Sequence, residues 1–209
     1  MDEIASSSAH LNYHVIKAVI STTQASKCAL VLGPGTSDPR YELDYHANMV
    51  VLGKHYFVFE KTGRTCNVQP FSTELVIAAD VPIVDGAIAY DFPYTKTTYV
   101  LIFSNVLHMP TMAHNLIPPF IMIYGGVIFS DAPKIHCVDP TIEDHCIRFK
   151  NSDLKIPMQL SGTFSYFHSR LPTLYELYSC DKLFITPDSS DWHPHCLSFE
   201  QNERAILNF

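Results

Sequence analysis

Short apolar runs alternate with clusters of turn residues along most of this chain, which is the pattern of an all-β protein. Runs rich in Val, Ile, Phe, Tyr and Thr predict strands at residues 50–52, 55–59, 66–71, 75–78, 86–90 and 97–103. The last two runs are separated by residues 91–96, which predicts a hairpin with a long loop. Asn105-Val106-Leu107 extends the final strand toward Pro110. Asp85-Gly86 is interpreted as a turn signal.

The chain beyond Gly125-Gly126 repeats this β-rich pattern and adds two helices. Further strands are predicted at residues 134–138, 146–149, 154–160 and 163–167. Thr173 and Glu176 have the spacing of a capping box, which predicts a short helix over residues 174–180. Ser198 starts a similar signal before a predicted C-terminal helix that runs through Leu207. Near the N-terminus, the apolar spacing of residues 11–23 fits a helix or a strand equally well.

Two clusters of chain-breaking residues divide the sequence into three predicted segments. Residues 33–39 contain two glycines and two prolines, and Gly125-Gly126 forms the second break. These breaks predict an N-terminal segment and linker over residues 1–37, a β-rich domain over 38–125, and a C-terminal β-rich extension with two short helices over 126–209.

Composition indicates a globular protein with no direct role in nucleic-acid binding. The chain is 47% hydrophobic and 17% charged, its formal net charge is -7, and its 14 Lys and Arg residues are scattered. The apolar stretch over residues 116–127 is interrupted by two prolines and is too short to span a bilayer, and Met1-Asp2-Glu3 lacks the basic start of a signal peptide. We therefore expect a soluble, intracellular and cytoplasmic protein with no membrane partner.

The six cysteines are too dilute to predict a disulfide scaffold, so free thiols are expected. A zinc-stabilised domain is one alternative, since imidazole and thiolate are the ligands that zinc prefers. Its candidate ligands are His136-Cys137, His145-Cys146, His193, His195 and Cys196. Adjacent residues on a strand face opposite ways, however, and the pairs lack the usual ligand spacing. We expect no metal and no cofactor.

Asp44 is the residue whose position most needs a reason. It follows Leu43 and precedes the apolar run Met49-Val50-Val51-Leu52, which predicts a sharp loop leading into a buried strand. An ionised side chain among apolar neighbours costs free energy unless it has a partner. Two interpretations stay open: a turn aspartate that accepts backbone N–H bonds, and a functional carboxylate.

The order of motifs around Asp44 resembles the aspartic protease domain of copia-type retrotransposon polyproteins. That family has an Asp-Ser/Thr-Gly-Ala loop, then a flap hairpin, then an Asn-Val-Leu-x-x-Pro segment followed by His-Asn-Leu-Leu/Ile. The corresponding stretches here are Leu43-Asp44-Tyr45-His46-Ala47, Asn105-Val106-Leu107-His108-Met109-Pro110 and His114-Asn115-Leu116-Ile117. The resemblance extends from Tyr41 to about Glu203.

This resemblance implies a fold, a site and an activity. The fold would be a retropepsin-like β-barrel over residues 38–125, followed by the C-terminal β-rich extension with its short helices. Asp44 would match the catalytic aspartate, within a loop that also contains Tyr45, His46 and Ala47. One such loop per chain implies a homodimer that cuts a polypeptide substrate, the retrotransposon polyprotein. The flap is expected between about Gln69 and Gly86, and Asp188-Ser189-Ser190 is a poorer second candidate for the aspartate loop.

Three residues of the loop depart from the family pattern. Tyr45 replaces a small hydroxyl residue, His46 replaces the usual glycine, and Asn48 is a further difference. These departures lead to the alternative prediction, a catalytically inactive retropepsin-like module that serves in dimerisation or peptide binding.

Overall fold

The structure of this chain is a computed structural model that describes residues 12–14, 39–69, 76–112, 114–188 and 198–207. Strands dominate, so the all-β prediction is confirmed. The strands are β1 (Asn12–His14), β2 (Arg40–Leu43), β3 (Val51–Leu52), β4 (Phe57–Gln69), β5 (Ala78–Asp91), β6 (Thr98–His108), β7 (Asn115–Ile117), β8 (Val127–Ser130), β9 (Cys146–Phe149), β10 (Lys155–Pro157), β11 (Gln159–Ser161), β12 (Phe164–His168) and β13 (Lys182–Phe184). The α-helices are α1 (Pro119–Tyr124), α2 (Leu174–Ser179) and α3 (Ser198–Leu207).

Two sheets contain all of these strands. The large sheet has the order β1-β4-β5-β6-β3-β7-β2-β12-β11, with β13 beside β6, and the small sheet has the order β10-β9-β8. In each sheet the two end strands do not pair with each other: β1 and β11 in the large sheet, and β10 and β8 in the small one. The strands described here therefore form open sheets and no closed barrel. None of the helices described is long and apolar enough to cross a membrane.

The main core joins segments that lie far apart in the sequence. The Tyr41 ring stacks on the Phe167 ring at 5.2 Å between centroids and lies 6.3 Å from the Phe103 ring. These three side chains are almost fully buried. Strand β12 pairs with β2, and β13 pairs with β6, so residues beyond 126 complete the same sheet that residues before 125 begin.

The central hairpin is longer than the sequence pattern predicted. The runs at 55–59 and 66–71 fall largely in one strand, β4, because the exposed polar residues between them also stay in the sheet. The run at 86–90 falls in β5, whereas the run at 75–78 contributes only its last residue, Ala78, at which β5 begins. The turn predicted at Asp85-Gly86 is therefore wrong: both residues lie within β5, where the pairing with β6 shifts register.

Several other predictions can be compared with the structure. The strand at 146–149, the capping box of α2 and the C-terminal helix are confirmed. The strand predicted at 134–138 is wrong, because Pro133 starts a 3-10 turn over Lys134–His136 that is closed by the His136 N–H bond to the Pro133 carbonyl, 2.8 Å. Helix α1 was not predicted, although Pro119 occupies a first-turn position where its missing N–H is harmless. Of residues 11–23, only β1 lies within the described ranges.

Gly86 is the glycine for which close packing predicts a clear effect. An added Cβ would lie 2.1 Å from the Phe57 carbonyl oxygen and 2.5 Å from the buried Tyr56 ring. We expect Gly86→Ala to lower the free energy of unfolding by about 2 kcal/mol, measured by urea denaturation. Gly63→Ala is the control, since its Cβ would meet no atom within 4 Å and would cost only the strain of its φ of +74°, about 1 kcal/mol. Equal losses in the two variants would contradict the packing argument.

Candidate active-site loop around Asp44

Three strands hold the loop that carries Asp44. Strand β2 ends at Leu43, which pairs with Ile117 of the parallel strand β7. The Asp44 N–H continues this pairing by donating to the Ile117 carbonyl at 3.1 Å. After the loop, Val51 of β3 lies between Leu116 of β7 and Leu107 of β6. The predicted sharp loop before a buried strand is thus present, and its backbone is fixed at both ends.

The two oxygens of the Asp44 carboxylate have different surroundings. Oδ1 accepts a hydrogen bond from the His46 N–H at 2.9 Å, which closes a tight turn of the kind that aspartate favours. Oδ2 is buried, and no atom of the described residues forms a hydrogen bond with it. A buried carboxylate oxygen without a partner is costly, and such groups are concentrated at functional sites. A turn aspartate needs only one oxygen to accept a backbone N–H bond. The burial of Oδ2 is therefore not explained by the turn alone.

His46 preserves the turn although the family that the sequence resembles has glycine at this place. Its backbone does not enter the left-handed region, so a residue with a Cβ fits without strain. Its side chain is exposed, whereas the next residue, Ala47, is 5% exposed and packs inward. The loop therefore turns its backbone amide, and not the imidazole, toward the carboxylate.

Tyr45 connects the loop to the C-terminal extension. Its side chain is 61% exposed, and its hydroxyl donates to Oδ2 of Asp131, the residue that follows β8. Asp131 was not predicted as a site residue. Its only sequence signal is its place directly after a strand, which is shared by many turn aspartates. The contact means that the loop geometry depends partly on residues beyond Gly126.

A long hairpin lies in the region where a flap was predicted. Strands β4 and β5 pair from Phe57 with Ala87 to Val68 with Ala78. Of the residues between the two strands, 70–75 lie outside the described ranges. Just before β5 begins, Val76 is 90% exposed and Ile77 is 51% exposed. Two large apolar side chains thus face solvent near the end of this hairpin.

The other candidates are not brought to Asp44. Asp188 is exposed, and its neighbours Ser189 and Ser190 lie outside the described residues. The His108 ring lies 6.3 Å from the Tyr56 ring, and burial, with a contribution from Lys61, lowers the His108 pKa. His114 has a buried Nδ1 that bonds to none of the described residues. No hydrogen bond within the described ranges joins Asp188, His108 or His114 to residues 44–47.

The candidate zinc ligands that lie within the described residues do not form a metal-binding group. His145 Nε2 lies 2.8 Å from the Ser165 hydroxyl, and Cys146 Sγ donates to the Glu143 carbonyl at 3.0 Å. Among the residues described, no group of three or more His, Cys, Asp or Glu side chains could hold a metal ion. His193, His195 and Cys196 lie outside those residues.

Comparisons of the whole chain with family models, curated proteins and solved structures find no match.

Proposed function

We propose that this protein is a retropepsin-like aspartic endopeptidase of the retrotransposon type, active as a homodimer to which each chain contributes Asp44. The observation that carries the proposal is the Asp44 carboxylate, with Oδ1 held by the His46 amide and Oδ2 without a hydrogen-bond partner among the described residues. In an aspartic dyad, the partly exposed Asp44 side chain would turn its carboxyl toward that of the symmetry-related chain. The substrate would be a polypeptide, as the sequence resemblance implies.

The path of the chain around the loop supports this proposal. A strand leads into the Asp44 loop, a second strand follows, a long hairpin extends away, and β7 then returns beside Asp44 before α1 begins. The β7 sequence Asn115-Leu116-Ile117 is one of the segments on which the resemblance depends. Its Asn115 Oδ1 accepts from the Gly53 N–H at 2.7 Å, which connects this segment to the end of β3. The matching segments therefore meet in space.

The proposed chemistry follows from placing two like charges together. Two carboxylates at hydrogen-bond distance cannot both ionise, so one keeps a proton while the other acts as a general base. The base takes a proton from a water molecule, which attacks the carbonyl carbon of the peptide, and the protonated carboxyl donates to the carbonyl oxygen. The carboxyl that took the proton from water then gives it to the amide nitrogen as the C–N bond breaks, and the other carboxylate takes back a proton from the intermediate as the carbonyl group of the acid product re-forms. The pair titrates as a unit, and neither pKa belongs to one residue. A symmetric dimer is required because each chain supplies one such loop.

An inactive dimerising or peptide-binding module is the second candidate function. Tyr45 favours it, because its hydroxyl bonds within the chain to Asp131, whereas the small hydroxyl of the family pattern braces two loops across the dimer axis. In this interpretation the fold and the dimer persist without turnover. Asn48 is consistent with either function.

Inhibition and assembly together test the proposal. A mixture of synthetic peptides should be cleaved at about pH 5, where a carboxylate pair holds one proton, and a statine-type inhibitor should block that cleavage. Sedimentation should show a dimer at the concentration of the assay. Cleavage by a monomer, or cleavage that the inhibitor leaves unchanged, would contradict the proposal. A dimer that cleaves none of the peptides would support the inactive dimerising or peptide-binding module instead.

A further inference from the structure

A second surface, remote in sequence from the Asp44 loop, has the form of a peptide-binding groove. A cavity of about 640 Å³ lies between α2 and the face of the large sheet that is turned away from the main core. Its lining includes Phe57 of β4, Ile102 of β6 and Leu177 of α2. We call this cavity the α2 groove. Its volume is in the range of sites that bind ligands or short peptide segments.

Large apolar side chains around the α2 groove are exposed. The exposed fraction is 87% for Tyr178, 66% for Leu174, 50% for Phe59 and 43% for Phe184. They come from α2, β4 and β13, so the exposed surface is continuous across three elements. Contiguous exposed apolar surface of this kind, bordered by charged residues, marks interaction sites.

The charged residues of the α2 groove are mostly acidic. Glu60, Asp85 and Asp188 line it, against one ammonium group from Lys182. The same three carboxylates also line an adjoining hollow of about 440 Å³. Arg64 is in that hollow, but its guanidinium donates to the Asn105 side chain.

The three carboxylates form no ion pair with the residues that the structure describes. No ion pair in the described part of the chain involves Glu60, Asp85 or Asp188. Asp85 has one partner, the Asn105 N–H, at 2.6 Å. The charge that would complement this end of the groove is positive.

A free strand edge lies beside the α2 groove. Strand β4 pairs with β5 on one side, and on the other side β1 pairs with it only at residues 67–69. Over residues 57–66, this edge of β4 has no strand neighbour among the residues described. An extended peptide can add to a sheet by bonding to the unpaired backbone N–H and C=O groups of such an edge while its side chains enter neighbouring apolar pockets.

We propose that the α2 groove binds an extended, cationic segment of a partner protein, whose apolar side chains enter between Tyr178 and Phe59 and whose Lys or Arg side chains reach Glu60 and Asp188. Nucleic acid would be repelled by the same carboxylates. A second copy of this chain would bring a net charge of -7 to an acidic surface, which disfavours self-association there. None of the lining residues belongs to the Asp44 loop, so this surface does not depend on the proposed proteolysis.

Fluorescence anisotropy with a defined probe tests this assignment. The probe is a labelled peptide with two leucines and two arginines in a Gly–Ser background, titrated with the full chain. We expect saturable binding that weakens as the salt concentration rises, and about tenfold weaker binding to Tyr178→Ala, since a buried tyrosine at an interface is a typical anchor. Tyr175→Ala is the matched control, because Tyr175 is exposed on the same helix but does not line the groove.

Charge is tested separately from apolar contact. The double variant Glu60→Gln, Asp188→Asn should also weaken binding by about tenfold, whereas Asp139→Asn, Asp153→Asn changes two exposed carboxylates elsewhere and should not. Asp44→Asn should bind the probe as the unmodified chain does. Equal effects of the two tyrosine variants, or equal binding of a probe with glutamates in place of the arginines, would overturn the proposal. So would self-association that Tyr178→Ala abolishes, which would assign the groove to a second copy.

Discussion

Asp44→Asn is expected to lower kcat for peptide hydrolysis by about three orders of magnitude or more, because an amide cannot hold the shared proton or accept one from water. The substitution keeps the shape of the side chain and the oxygen that accepts the His46 N–H bond. The free energy of unfolding should therefore change by less than about 1 kcal/mol, and the dimer should persist. Single-turnover assays and urea denaturation of the same preparation measure the two effects.

Asp153→Asn is the control for this substitution. It makes the same chemical change at an exposed aspartate that is in neither the Asp44 loop nor the α2 groove, and the rate of hydrolysis of a short peptide should stay within about twofold of the unmodified rate. Hydrolysis that survives Asp44→Asn would exclude Asp44 as the catalytic group. Loss of the dimer in that variant would assign the carboxylate a role in assembly instead.

Arg170→Gln is expected to lower the free energy of unfolding by about 2 kcal/mol. The guanidinium of Arg170 makes two bonds to Asp91, at 2.7 and 2.8 Å, and two to Glu176, at 2.9 and 2.7 Å. It thereby joins α2 to the end of β5, and the backbones of Arg170 and Ala89 are also paired. The Arg170 and Asp91 side chains are 37% and 50% exposed, so solvent screens part of this interaction. Glutamine leaves both carboxylates without their cation.

The same cluster predicts how stability changes with pH. The bond from Arg170, assisted by the Thr173 backbone, lowers the pKa of Glu176 from 4.5 to about 2. A carboxyl whose pKa is depressed on folding stabilises the folded state above its ordinary pKa, and this contribution is lost as the pH falls from about 4.5 to 2. Arg170→Gln should remove most of this acid dependence when unfolding is measured across that range.

Arg204→Gln provides the comparison for Arg170. Arg204 pairs with Glu200 at 3.3 Å on α3, but both side chains are largely exposed. An exposed pair of this kind contributes little, so the change in unfolding free energy should be below about 0.5 kcal/mol. Similar losses in the two arginine variants would contradict the argument that the Arg170 cluster fastens α2 to the sheet.

The sequence predicts the parts of this fold that depend on local patterns. The capping box at Thr173 and Glu176 forms because each side chain satisfies a neighbouring backbone N–H, which needs no distant partner. The 91–96 hairpin loop is similarly local, closed by the bond from the Phe92 N–H to the Thr97 carbonyl at 2.9 Å. Hydrophobic runs alone could not show that β4 and β5 continue through polar residues, because pairing along the whole hairpin holds those residues in the sheet.

The candidate site likewise has a part that local sequence predicts and a part that depends on tertiary packing. Asp44 and its turn could be predicted from a carboxylate placed before an apolar strand. The contact of Tyr45 with Asp131 could not, because it joins residues 86 positions apart that come together only through the packing of the extension. The buried state of Oδ2 is likewise a result of tertiary structure. The order of the motifs indicates which residue to examine, and the neighbours that fix its geometry come from elsewhere in the chain.

Completing the large sheet from both halves of the chain affects how the protein folds during synthesis. Tyr41 pairs with Phe167, and Leu101 pairs with Leu183. The edge of β2 remains unpaired until residues 166–168 of β12 have been made, and the edge of β6 at residues 100–102 remains unpaired until residues 182–184 of β13 have been made. Contacts with such large separations also slow folding, because the loop between them must close first. The nascent chain therefore depends on late-emerging strands to protect edges that could otherwise aggregate.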